Sequence, residues 1–165
     1  MAEPLPTFDA VFESMQRKVL GLCLHVVGER QEAEDALQEA FLAVYRGLPA
    51  FRGEAQLSTW VFRIALRAAL RVRSRRPPLA IEQNFEPASE RPEQVLEARD
   101  EARRLERAMS RLPAEQRTVL ALFAVDGLGH REIAEVLGVP EGTVWSRLHL
   151  ARKRLAAELA SPAQR

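Results

Sequence analysis

His130 to Leu155, HREIAEVLGVPEGTVWSRLHLARKRL, describes two helices meeting at an angle. In the first, Ile133, Ala134 and Leu137 recur at i, i+1 and i+4 as an apolar stripe, and Gly138 stops the helix. Pro140 forbids continuation, and Glu141, Gly142 and Thr143 restart the chain, the acid and hydroxyl suiting the positive end of a new helix. On that second helix Val144, Leu148, Ala151 and Leu155 recur at i, i+4, i+7 and i+11, so they face the first helix. The pattern is a helix-turn-helix. Seated in a major groove, such a second helix presents its early polar residues to base edges and its later cations to phosphates. Trp145, Ser146 and His149 are therefore candidate base or methyl contacts, and Arg147, Arg152 and Lys153 candidate phosphate contacts. A solvated amphipathic helix is the plainer reading of any single arginine among them.

Working outward, 165 residues with a hydrophobic fraction of 47% suffice for one domain or two small ones, and a proline-broken middle favours two. The formal net charge of +1 hides segregation, because Arg63, Arg67, Arg71, Arg73, Arg75 and Arg76 succeed one another with no acid between them. The single cysteine, Cys23, sits in the apolar run VLGLCLHVV, where a buried reduced thiol is expected. The N-terminus lacks the basic and apolar regions of a signal peptide, and no apolar run approaches a membrane span, so a cytoplasmic protein is expected.

The periodicity predicts a helix from a Thr7 or Asp9 cap to about Val27, ended by Gly28, and a second from Arg30 or Gln31 to about Leu48, before Pro49. The second helix buries Ala33, Leu37, Ala40, Phe41, Val44 and Leu48, and gathers Glu34, Asp35, Gln38 and Glu39 on another face. Residues 50–56 read as a loop around Gly53. A third helix follows from Ser58 or Thr59 to about Arg73, with Trp60, Val61, Ile64, Ala65, Ala68 and Leu70 as its apolar contacts. It aligns Arg63, Arg67 and Arg71 at i, i+4 and i+8, a spacing of like charges that disfavours the helix slightly unless an anion compensates.

Ser74 to Pro92 carries four of the ten prolines and no sustained period, so it is expected to be a tether. Beyond it the pattern predicts helices from about Glu93 to Arg111 and Glu115 to Val125, then a turn at Asp126, Gly127 and Gly129. No phosphate loop or zinc spacing occurs, and nothing nucleophilic accompanies Glu34, Asp35 and Glu39, so no catalytic set, metal site, cofactor or small-molecule substrate is expected.

Two ordered motifs then carry a resemblance. Ala33-Glu34-Asp35-Ala36-Leu37-Gln38-Glu39-Ala40-Phe41 resembles region 2.2 of the sigma-70 family of RNA polymerase specificity factors, and Phe51-Arg52-Gly53 with Ser58 to Ala65 resembles regions 2.3 and 2.4. Arg111-Leu112-Pro113, Gln116-Arg117, Arg131 to Ala134, Leu137 to Pro140, Gly142-Thr143-Val144, Ser146-Arg147-Leu148 and Ala151-Arg152 resemble region 4. The short length points to the extracytoplasmic-function (ECF) group. The resemblance implies an all-α protein of two small helical domains, region 2 over 1–76 and region 4 over 93–165, joined by a flexible linker over 77–92. It implies docking on the coiled coil of the largest polymerase subunit through Glu34, Asp35, Gln38, Glu39 and Phe41. It implies −10 contacts from Phe51, Arg52, Gly53, Trp60, Arg63, Arg67 and Arg71, and −35 contacts from Thr143, Trp145, Ser146, Arg147, His149, Arg152 and Lys153. A cognate anti-sigma factor, of the kind often held at the inner membrane, is implied as a further partner. Arg67, Arg71, Trp145 and Leu150 depart from the residues common at these places, so base preference is not carried over. The residues leave open a polymerase-independent helix-turn-helix regulator and a polymerase-binding adaptor without promoter recognition.

Overall fold

A computed structural model describes residues 5–75 and 96–160. Seven α-helices and one short 3-10 turn make up its regular structure, and no strand occurs among the described residues. Of the segment expected as a tether, Ser74 closes the third helix and Arg75 caps it, while 76–92, and Glu93 to Val95 at the expected start of the fourth helix, lie outside the described residues.

Helix α1, Phe8–Val27, begins at Thr7, whose hydroxyl accepts the Ala10 N–H at 3.3 Å, and ends at Gly28 with φ 80°, a left-handed turn that a side chain would resist. Helix α2, Arg30–Gly47, is capped by the Glu29 carboxylate, which accepts from the amides of Gln31 and Glu32, both at 2.9 Å. Leu48–Ala50 closes as a 3-10 turn. Helix α3, Leu57–Ser74, begins one residue earlier than Ser58, with Gln56 as its cap and no side-chain bond there. Thr59 was an expected cap; it is instead 1% exposed, turned into the core by the helix that starts before it.

Helices α1 to α3 pack on one another through Val19, Leu22, Cys23, Val44, Val61 and Phe62, all nearly inaccessible. Leu70, expected among the apolar contacts, stands outward at 49% exposure.

Helices α4 (Leu96–Ser110), α5 (Ala114–Asp126), α6 (His130–Leu137) and α7 (Glu141–Ala160) form the second group. Gly138, with φ 66°, ends α6 and lets the chain turn toward Pro140 and α7. Ile133, Val144 and Leu148 fill the seam of the helix-turn-helix, and Arg111 meets Glu158 at 2.8 Å to tie the end of α4 to α7.

The two groups pack together, α1 against α5 and α3 against α6. This explains an oddity of α5, where Gln116, Arg117 and Thr118 are buried beside Val119 and Leu122. A helix enclosed by α1 on one side and α7 on another has little face left for water. Its polar groups must then bond: the Thr118 hydroxyl donates to the Ala114 carbonyl at 2.8 Å, and Arg117 donates to Ser110 O at 3.2 Å and, across the junction, to His25 O at 2.6 Å. Arg63 on α3 makes the matching bond to Glu135 O on α6, at 3.2 Å.

Candidate nucleic-acid interface

Helix α7 offers an open face. Trp145, Ser146, His149, Leu150, Arg152 and Lys153 are exposed, whereas Thr143 and Arg147 are half-buried. Trp145 lies flat on His130, ring centroids 3.9 Å apart and planes 6° from parallel, so its indole is fixed at the entrance of the recognition helix. His130 Nε2 is shut off from solvent beneath it with no hydrogen-bond partner. The Arg152 guanidinium sits 4.7 Å above the Phe123 ring, and Arg147 pairs with Glu115 at 2.8 Å. Two of the three cations expected to meet phosphates are therefore already engaged within the module, leaving Lys153 as the more open charge. Sequence periodicity could not reveal either contact, since Phe123 and Glu115 lie on another helix.

The second cationic region combines the 51–56 loop with α3. Phe51 and Trp60 are half-buried with ring centroids 5.1 Å apart, Arg52 and Gly53 are exposed, and Arg67 and Arg71 project from α3. Gly47 is needed beneath them: a Cβ there would come within 2.9 Å of Trp60 Cζ2. Arg63, expected beside Arg67 and Arg71, is turned toward α6 by its bond to Glu135 O.

On α2, Asp35 and Gln38 are exposed, and Glu34 and Glu39 half-exposed. Glu34 pairs with Arg30 at 2.9 Å, and Glu39 faces Arg75 at 2.8 Å and Arg71 at 3.6 Å. Phe41 requires a correction. It is 4% exposed, packed edge-on against Phe12 at 4.8 Å and Phe8 at 6.2 Å, so its ring holds the core and offers no docking surface. Leu42 and Tyr45, 57% and 62% exposed, are the apolar side chains that α2 presents outward.

Sequence reasoning missed the junction residues altogether. Between the two groups runs an apolar groove of about 430 Å³ lined by Leu24, His25, Leu105, Glu106, Met109 and Leu120 among others. Burial, with the charge of Arg117, lowers the His25 pKa to about 4, so this ring is neutral at physiological pH. Burial raises the Glu106 carboxyl, with Arg103 opposing. Burial also pushes the Cys23 thiol up to about 12, which leaves it unreactive. Among the described residues no three His, Cys, Asp or Glu side chains gather as a metal site, and no helix is long and apolar enough to cross a membrane.

The fold thus defines a two-module helical protein carrying a helix-turn-helix. Residues 11–76 match the family described as Sigma-70 region 2, and residues 102–155 match Sigma-70, region 4. Over 162 residues the chain is 38% identical to the RNA polymerase sigma-H factor of Pseudomonas aeruginosa, covering 90% of this chain and 83% of that one. Against the ECF RNA polymerase sigma factor SigM of Mycobacterium tuberculosis it is 37% identical over 151 residues, 90% of this chain and 75% of the relative. Its fold is shared with the sigma factor RpoE solved with the anti-sigma factor NepR from Bartonella quintana, with a TM-score of 0.72 at 23% identity over 92% of this chain and 96% of that one. The chain belongs to the sigma-70 family of RNA polymerase sigma factors, in the ECF group.

Proposed function

We propose that this sigma factor docks on core RNA polymerase through the α2 face of Glu34, Asp35, Gln38 and Glu39. The loop at Phe51, Arg52 and Gly53, with Trp60, Arg67 and Arg71, holds the −10 strand, and α7 reads the −35 element through Trp145, Ser146 and His149. The work is recognition and local melting, with bond-making left to polymerase, and the setting is the bacterial cytoplasm. Stacking on aromatic walls contributes about 1–3 kcal/mol per base, and arginines hold the backbone. The observation that carries the reading is the pairing, on one chain, of an exposed acidic and amide face on α2 with an exposed recognition face on α7.

The closed packing of the two modules fits a resting form. A chain of this length folded as one body has a radius of gyration of roughly 15 Å, whereas the −35 and −10 centres lie roughly 80 Å apart along B-DNA. The modules must part to engage both, and each then gains from the other's binding as a tethered pair. A cognate anti-sigma factor would hold the closed form and cover the same faces; the RpoE–NepR complex supports such a partner by fold alone.

The test is transcription by purified core polymerase on a genomic promoter library, with and without the protein. Promoter-specific initiation dependent on its addition is expected. Operator binding without polymerase would favour a self-sufficient regulator, and polymerase binding without initiation an adaptor. Asp35→Ala combined with Gln38→Ala should weaken polymerase binding, and an unchanged affinity would remove the docking assignment.

A further inference from the structure

Glu39 stands between two surfaces, the α2 docking face and the cationic edge of α3. On α2 it lies one turn beyond Asp35, within the docking face. Across the α2–α3 packing, its Oε1 accepts from Arg75 Nη1 at 2.8 Å, and its Oε2, shut off from solvent, lies 3.6 Å from Arg71 Nη1. The Glu39 side chain is 29% exposed against 62% and 60% for Arg71 and Arg75, so the carboxylate is the recessed partner and the cations are outside it. Arg67 and Arg71 on α3 and Arg75 at its C-cap follow at i, i+4 and i+8. Without Glu39 they would form an unbroken cationic edge.

We infer that Glu39 is a shared carboxylate: Arg71 and Arg75 hold it when the chain is alone, and a basic side chain of the polymerase docking surface takes it on assembly, releasing both arginines to the phosphates of the −10 strand. Arg75 thereby joins Arg71 as a strand-holding residue. The inference rests on the docking and −10 assignments above. Its physical basis is competition for a small acceptor. One oxygen accepts from Arg75 and the other is enclosed beside Arg71, so an incoming cation competes with the arginines for the carboxylate, while an incoming phosphate meets a carboxylate behind the very cations it seeks. The coupling is reciprocal by thermodynamic necessity: whatever factor docking adds to strand affinity, the strand adds to docking.

The experiment uses the full chain without polymerase and a short fluorescein-labelled single strand of mixed sequence, read by anisotropy over a salt series. Glu39→Gln keeps the shape and removes the charge. It is expected to tighten strand binding about twofold to thirtyfold, the range for releasing two exposed ion pairs. The slope of log affinity against log salt should steepen by up to about 1.4, from two phosphate contacts at about 0.7 each on a single strand. Adding Arg71→Gln and Arg75→Gln should abolish both gains, and Glu13→Gln, which removes an exposed acid of α1, should give neither. An unchanged affinity and slope in Glu39→Gln, a gain that survives loss of the two arginines, or an equal gain from Glu13→Gln would each overturn the inference. Run-off transcription by the wild-type chain with core polymerase separates this from the broader reading: lost initiation counts against the function, whereas normal initiation with no Glu39 effect counts against the shared carboxylate alone.

Discussion

Replacing Arg117 by methionine should loosen the junction between the two modules by a calculable amount. Arg117 is 4% exposed, and its bonds include those to Ser110 O at 3.2 Å and to His25 O at 2.6 Å. The Ser110 bond joins α4 to α5 inside one module, so its loss affects open and closed forms alike and cancels from the opening equilibrium. The His25 bond exists only when the modules are closed. A hydrogen bond from a charged donor contributes about 1.5–3 kcal/mol, so opening should become roughly tenfold to a hundredfold more favourable. Methionine retains much of the side chain's apolar bulk, and because it also relieves the burial cost and the repulsion from Arg73 that lower the Arg117 pKa, the bond sets the upper end of the change. Cysteines introduced at Ala43 and Ala157, both exposed, can carry a dye pair. The native Cys23 does not compete for label, because it is buried with its thiol pKa pushed up to about 12. Energy transfer measured across a urea series too dilute to unfold either module reads the open fraction. A coincident series for wild type and Arg117→Met would show that the arginine contributes nothing to closure and that apolar packing alone holds the modules.

Three further outcomes are expected. Phe41→Ala should cost about 3–5 kcal/mol in a urea titration, with polymerase binding lost only as far as the protein unfolds, whereas Asp35→Ala with Gln38→Ala should melt normally and still fail to dock. Gly47→Ala should destabilise by about 1–3 kcal/mol and shift the Trp60 emission, since the new methyl lies 2.9 Å from Cζ2 and 3.3 Å from Cη2 of an indole braced by Phe51. His25 has a folded pKa of about 4 below its ordinary 6.5, so the unfolded chain binds the extra proton between these values. Stability should therefore fall as pH drops through that window, by about 1 kcal/mol per pH unit, and His25→Gln should flatten the slope in urea titrations at successive pH values.

The helices were legible because their signals are local. Thr7, Gly28, Gly138 and Pro140 mark ends through their own backbone chemistry, and the 3.6-residue period separates core from surface on either side of them. Legibility failed where a neighbouring element decides. Phe41 shares a motif with Asp35 and Gln38, yet its place on the helix points it at Phe12, and a motif read as a string does not say which members face inward. Thr59 is a good cap by residue type, but the preceding Leu57 is already helical. Arg63 belongs to the same spacing as Arg67 and Arg71, and only the presence of α6 across the junction separates it from them.

Two hydrogen bonds across the junction are of one kind, an arginine on one module donating to a main-chain carbonyl of the other: Arg63 to Glu135 O and Arg117 to His25 O. Every amino acid supplies that carbonyl, so the acceptor positions can drift during descent without breaking the contact, and only the arginines are under selection for it. Paired substitution, the usual trace of two residues that touch, should then be missing from these two contacts. The arginines' share of closure would be inherited through single positions, and a lineage could strengthen or weaken it by one change at Arg63 or Arg117 with nothing altered opposite.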